Sequence, residues 1–169
     1  LDRSTGLTDR YTDIGLDGSY LKTFQGGNVL SINARYLSER QSLDATCALD
    51  AAGPDCARNS LREIRADASY YWRNEIGGTV GVFNTTGSAN PTLYADNRVS
   101  KPDSTGMLFQ LDGTPFGSSY SPLGARFNIR AGVQYTLYTQ FDGAGVNFDG
   151  AGRNARDNNT ARVFLWVAY

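Results

Sequence analysis

The last ten residues of the chain alternate strictly, and that alternation limits the possible folds more than any other feature. Ala161, Val163, Leu165, Val167 and Tyr169 share one face of an extended segment, with Thr160, Arg162, Phe164, Trp166 and Ala168 on the other. Upstream, Phe127, Ile129, Ala131, Val133, Tyr135 and Leu137 alternate in the same way with Asn128, Arg130, Gly132, Gln134, Thr136 and Tyr138. A period of two held this long predicts β-strands with one apolar and one polar face. The apolar face must then be covered, either by a second protein layer or by lipid.

The pattern extends back along the chain. Ile14, Leu16, Gly18 and Tyr20 alternate with Asp13, Gly15, Asp17 and Ser19, predicting a strand over Tyr11 to Leu21. Leu30, Ile32, Ala34 and Tyr36 oppose Ser31, Asn33 and Arg35. Ile64, Ala66, Ala68, Tyr70 and Trp72 oppose Arg65, Asp67, Ser69, Tyr71 and Arg73, and Ile76, Gly78, Val80 and Val82 oppose Gly77, Thr79, Gly81 and Phe83. A weaker strand covers Thr105 to Asp112, with Met107, Phe109 and Leu111 on its apolar face. No segment has a helical period, so the chain reads as all-β with seven strands.

The connections carry independent information. They run short (24–27), long (41–60), short (74–75), long (86–104), medium (113–124) and long (142–159), and the long ones are rich in Gly, Asn and Asp. A soluble sandwich has no reason to alternate its loops in this way. An up-and-down transmembrane barrel does, with tight turns at the periplasmic rim and longer loops outside. With 142–159 external, the last strand runs inward and Leu1 lies on the external side. A whole bacterial barrel has an even number of strands, at least eight. Residues 1–169 are therefore expected to be part of one outer-membrane β-barrel domain whose N-terminal strands are missing from the chain or supplied by another one.

Composition removes several alternatives. No run of 18 apolar residues exists, so there is no helical span, and a mean hydropathy of −0.40 is what alternating strands give in or out of a membrane. The N-terminus shows no secretory signal peptide. There is no histidine, which removes Ser-His-Asp and Cys-His catalysis, a histidine-bearing zinc site and a histidine-ligated haem from this chain. No enzyme is expected. The only lysines, Lys22 and Lys101, and the fourteen arginines are dispersed among acidic residues, so no nucleic-acid partner is expected.

The terminal strand, with Val163, Leu165, Val167 and a final aromatic Tyr169, resembles the signature by which outer-membrane proteins engage the barrel assembly machinery. The segments YTDIGLDGSYL, NARYLSERQSL, LREIRADASYYWRNEIGGTVGVFNTTGSANPTLY, KPDSTG and IRAGVQYTLYTQFDGAGVNFDGAGRNARDNNTARVFLWVAY resemble the C-terminal half of a family of proteobacterial barrels often labelled cytochrome c-like. The resemblance covers most of the chain from Tyr11 onward. It implies a location in the outer membrane of a Gram-negative bacterium and a porin-like or electron-transfer role. Any haem c would lie on an upstream segment, since this chain has no C-x-x-C-H motif.

Asp17, Arg35, Arg65, Asp67, Arg73, Arg130 and Arg162 fall on polar faces and are expected to line the lumen. They would form either a selectivity ring, in which an arginine excess favours anions, or an Arg–carboxylate network that stiffens the wall. Tyr71, Phe83, Phe164 and Trp166 on the same face suggest a partly filled interior. Tyr20, Tyr36, Tyr70, Trp72 and Tyr135 on the apolar faces suit interfacial girdles. Cys47 and Cys56 are expected to form a structural disulfide in one external loop. Asp142, Asn147, Asp149 and Asp157 could offer oxygens to calcium, but they lack EF-hand spacing and better suit a solvated glycine-rich loop.

Three functions follow as expectations. The first is transport: a porin-like channel, or the barrel sheath of an electron-transfer conduit with a periplasmic or extracellular redox partner or further subunits. The second is a structural or adhesive anchor whose external loops bind a partner. The third, an outer-membrane enzyme, would need its catalytic groups elsewhere.

Overall fold

The structure, a computed structural model, describes residues 6–49, 56–116, 121 and 127–168. Seven strands run in chain order: β1 (Arg10–Thr23), β2 (Val29–Ser42), β3 (Arg58–Trp72), β4 (Ile76–Gly87), β5 (Ser104–Gly113), β6 (Asn128–Gln140) and β7 (Thr160–Ala168). Each pairs antiparallel with the next to make one up-and-down sheet, and β1 and β7 are its two open edges. None of the described helices is long and apolar enough to cross a membrane.

The register carries like side chains across the whole sheet. Tyr20 pairs with Ile32, Ile32 with Ala68, Ala68 with Val80, Val80 with Phe109, Phe109 with Tyr135 and Tyr135 with Ala161. One apolar row thus crosses all seven strands, because side chains with period two stack in rows when strands pair in register. The row Leu30–Tyr70–Gly78–Leu111–Val133–Val163 on one side of it and the row Gly18–Ala34–Ala66–Val82–Met107–Leu137 on the other continue the same face.

Nothing within the described residues covers that face. Leu16 is 73% exposed, Ile64 54%, Val80 49% and Val163 81%. Among the described residues, the buried apolar side chains are Leu43, Ala45, Cys47, Cys56, Phe148 and Ala155, all in the connections and none in a strand. The chain exposes 11005 Å², against roughly 8200 Å² for a compact monomer of this mass. The apolar faces therefore do not pack into a water-excluded core.

The connections sort by end of the sheet. Residues 24–28 and 73–75 turn at one end, where β5 also ends and β6 begins, while 43–49, 56–57, 88–103 and 141–159 lie at the other. In the tight β3–β4 turn, Arg73 and Asn74 adopt positive φ of 52° and 57°, the geometry that lets a hairpin follow the strand twist. The long connections fold on one another. The first contains a six-residue helix, α1 (Asp44–Leu49), too short to show a helical period in the sequence. The Asp9 carboxylate caps it, accepting from the Ala45 and Thr46 amides at 2.9 and 3.1 Å. The Thr46 hydroxyl also donates to Asp9, and these bonds hold the carboxyl below its ordinary value of 3.8. Cys47 and Cys56 are joined by a disulfide, and Leu43 packs with them.

Candidate functional site

Parity along each strand sorts the charges. All six acidic residues of the strands, Asp13, Asp17, Glu39, Glu63, Asp67 and Asp112, lie on the polar face. Arg35, Arg65, Arg130 and Arg162 share it. The opposite face carries no strand carboxylate. An open polar concavity, with room for about 390 Å³, is bordered by Asp17, Ser19, Asn33, Arg35, Arg65 and Asp67.

The guanidiniums here are mostly tied to neighbours. Arg35 Nε donates to Asp17 Oδ1 at 2.6 Å across the β1–β2 pair. Arg65 pairs with Glu63 two residues away on its own strand, at 2.8 Å. Asp67 instead accepts from the Asn33 amide at 2.9 Å. Arg162 lies over the Phe164 ring, 6.0 Å from its centroid. Arg73 stands apart: β3 ends at Trp72, and the Arg73 guanidinium sits in the turn, 5.3 Å from the Trp72 ring centroid. The polar face of the strands therefore holds six carboxylates and four guanidiniums. The formal charge of that face, summed over the strands, is slightly negative.

Toward the short-turn end lies a cluster that no one stretch of sequence announces. The Asp112 side chain has no exposed surface. It accepts from Arg130 Nε at 2.6 Å, from the Tyr71 hydroxyl at 2.9 Å and from the Gln110 amide at 2.7 Å. Arg130 also donates to the Tyr71 hydroxyl at 2.6 Å, and its guanidinium lies 5.9 Å from the Phe164 ring centroid. Three strands, β3, β5 and β6, thus meet in one hydrogen-bonded group. A buried carboxylate is tolerated only when its oxygens are satisfied in this way.

Three aromatic–glycine pairs support the cluster. Tyr71 is paired in register with Gly77, Phe83 with Gly106, and Phe164 with Gly132. In each pair the ring lies over the glycine. A Cβ at Gly77 would run into the Tyr71 ring, and one at Gly132 would come within 2.7 Å of Phe164 and 2.5 Å of the Asp112 Cβ. The missing side chains let the rings lie flat on the sheet, so Tyr71 reaches Asp112. Phe83 continues into a chain of edge-to-face contacts through Tyr138 and Phe141 to Phe148 in the last long connection. Parity could have found Asp112, since it alternates with Leu111, and Glu63, since it alternates with Ile64; Arg65, the partner of Glu63, lies two residues on along the same strand, whereas Tyr71 and Arg130, the partners of Asp112, needed the register.

At the long-connection end the loops form a folded layer. Asn90, 1% exposed, donates to the Cys56 carbonyl and the Asn59 side chain at 3.0 and 2.9 Å, and accepts from the Thr92 and Leu93 amides. Backbone bonds from Arg98 to Phe148 and from Gly143 to Asp103 join the second loop and its strand junction to the third. In the glycine-rich segment, Asp149 accepts from the Ala151 and Arg153 amides, Asn147 from Gly152 and Asp157 from Asn154. These oxygens close turns, and the described residues contain no group of three or more His, Cys, Asp or Glu side chains arranged for a metal. This chain does not fit covalent haem c either, since it has no histidine and both its cysteines are in the disulfide.

Of the terminal strand, Val163, Leu165 and Val167 lie on the exposed apolar face and Trp166 on the polar one, while Tyr169 falls outside the described residues. Comparison with protein-family models, with curated proteins and with solved structures finds no significant match to the chain.

Proposed function

We propose that this chain forms seven consecutive strands of an outer-membrane β-barrel, with its apolar face against lipid and its polar face lining a conduit for small polar solutes. The observation that carries the reading is the segregation of the two faces. One carries an apolar band across all seven strands that no described residue covers and holds no strand carboxylate, and the other holds every strand carboxylate. In water, so large an apolar surface would drive association, whereas in a bilayer it is the surface a barrel wall requires. The open edges at β1 and β7 call for further strands, because unpaired backbone groups are costly in lipid. The resemblance to cytochrome c-like barrels adds a variant in which the conduit sheathes a redox carrier whose haem c is held by another segment.

The chain's two tryptophans test the barrel directly, one on each face. With Trp166→Phe, the remaining Trp72 should be quenched by lipids brominated on their acyl chains and protected from aqueous acrylamide. With Trp72→Phe, the remaining Trp166 should respond to acrylamide and little to brominated lipid. Acrylamide quenching of both, without lipid quenching, would rule out the barrel. For the conduit, planar-bilayer conductance under a salt gradient should show a reversal potential of weak cation preference, as six carboxylates against four guanidiniums require. Insertion without conductance would leave the anchor reading, which the folded, disulfide-bonded loop layer favours.

A further inference from the structure

Beyond the apolar rows, the outward face changes character near the long connections. Leu16, Tyr36 and Ile64 form the last predominantly apolar row across β1, β2 and β3. The next row is Ile14–Ser38–Arg62, then Thr12–Arg40–Ser60, then Arg10–Ser42–Arg58. Four arginines and a set of hydroxyls thus occupy three successive rows on the same face as the apolar band. In this register Arg40 is the diagonal neighbour of Arg10, Arg58 and Arg62, a separation of about 7–8 Å that long side chains easily span.

All four arginines are exposed, and none of their guanidiniums makes a hydrogen bond or ion pair among the described residues. The acids nearest in register, Asp13 and Glu39, point to the other face. Four like charges gathered with no counter-ion among the described residues are mutually unfavourable. The arrangement makes sense when an anion lies among them. Guanidinium and hydroxyl groups together suit phosphate oxygens, which accept paired N–H donors.

Depth names the source of the phosphate. From Ile64 to Trp72 the apolar stretch of β3 runs about 27 Å along the strand, or about 20 Å along the membrane normal at a tilt near 40°. Arg62, two residues beyond, then sits at headgroup level, with its aliphatic stem along the apolar surface and its charge in the polar layer. The opposite rim has only Lys22 on its outward strand positions, so the two rims differ in charge. We infer that Arg10, Arg40, Arg58 and Arg62 form a lipid-facing site for the phosphates of anionic lipid headgroups in the leaflet on the long-loop side. This rests on the barrel reading.

The test uses the full-length protein reconstituted in phosphatidylcholine bilayers with and without phosphatidic acid, with bound lipid identified by native mass spectrometry after release. Phosphatidic acid should be retained in preference to phosphatidylcholine. The double variant R40Q/R62Q should bind it about 30-fold more weakly, since each basic group near a charged lipid surface contributes about 1 kcal/mol. Arg156→Gln, which removes a charge from an exposed loop position, should leave retention unchanged. Equal retention by the native protein and R40Q/R62Q would overturn the site. So would displacement of the lipid by inorganic phosphate at equal concentration, which would point to free phosphate as the ligand. Failure to enter pure phosphatidylcholine bilayers would defeat the barrel reading and the site with it, whereas entry without lipid preference would defeat the site alone.

Discussion

Replacing Val80 by arginine should destabilise the protein in a bilayer by about 2–4 kcal/mol, the depth-dependent cost of a guanidinium on the lipid face near the midplane. Val80 sits between Ala68 and Phe109 in the apolar row that crosses the whole sheet, and it is 49% exposed. The direction of the result distinguishes the environments. On a water-facing surface the same change would stay within about 0.5 kcal/mol and would raise solubility. Under a second protein layer it would abolish folding. Ser19→Arg, on the polar face of β1, is the matched control and should cost less than about 1 kcal/mol, since that face already accommodates charge. Urea unfolding in lipid vesicles, followed by tryptophan fluorescence, gives both values. A Val80→Arg cost no greater than that of Ser19→Arg would mean that the apolar face does not contact lipid.

Most of this fold can be read from alternation alone, because a half-exposed strand must place like residues at every second position. All seven strands are found, and the loop-length alternation correctly predicts an up-and-down sheet whose long connections share one end. The strand ends were less legible, and the reason is physical. β2 runs on to Ser42 and β3 begins at Arg58. At Ser38, Arg40, Ser60 and Arg62 the outward positions turn polar, so the apolar–polar contrast disappears while the pairing continues. The rows that concealed the strand ends are also those that carry the arginine patch. Helix α1 was invisible because six residues hold too few turns to show a period. Parity alone places Arg73 on the polar face, but a tight turn starts there and parity has no meaning inside it. The Tyr71, Asp112 and Arg130 cluster depends on the pairing of β3 with β4, β4 with β5 and β5 with β6, which no local pattern encodes.

That cluster separates the two roles open to the polar-face charges. Asp112→Ala should cost about 2–3 kcal/mol. Breaking a buried ion pair typically costs about 3–5 kcal/mol, and the loss is smaller here because the Arg130 side chain is 41% exposed and can rehydrate. Part of the cost is the Tyr71 hydroxyl, which loses its acceptor while it is held down over Gly77. Arg130→Met alone should be similarly harmful, since it leaves the Asp112 carboxylate enclosed without its cation. The double variant should cost less than the sum of the two, with a coupling of about 1–3 kcal/mol, because neither mutation then strands a charge. Strict additivity, with each single change below about 0.5 kcal/mol, would mean that the cluster does not stiffen the wall. The functional reading moves with the energetic one. With its partner gone, the Arg130 guanidinium is released and adds an uncompensated positive charge to the polar face. Asp112→Ala should therefore shift the reversal potential toward anions, while Asp112→Asn should make the same shift at a smaller cost in stability, because its amide oxygen still accepts from Tyr71. A stability loss without a shift in selectivity would assign the network to the structure of the wall and leave the permeation path to the Asp17, Arg35, Arg65 and Asp67 region.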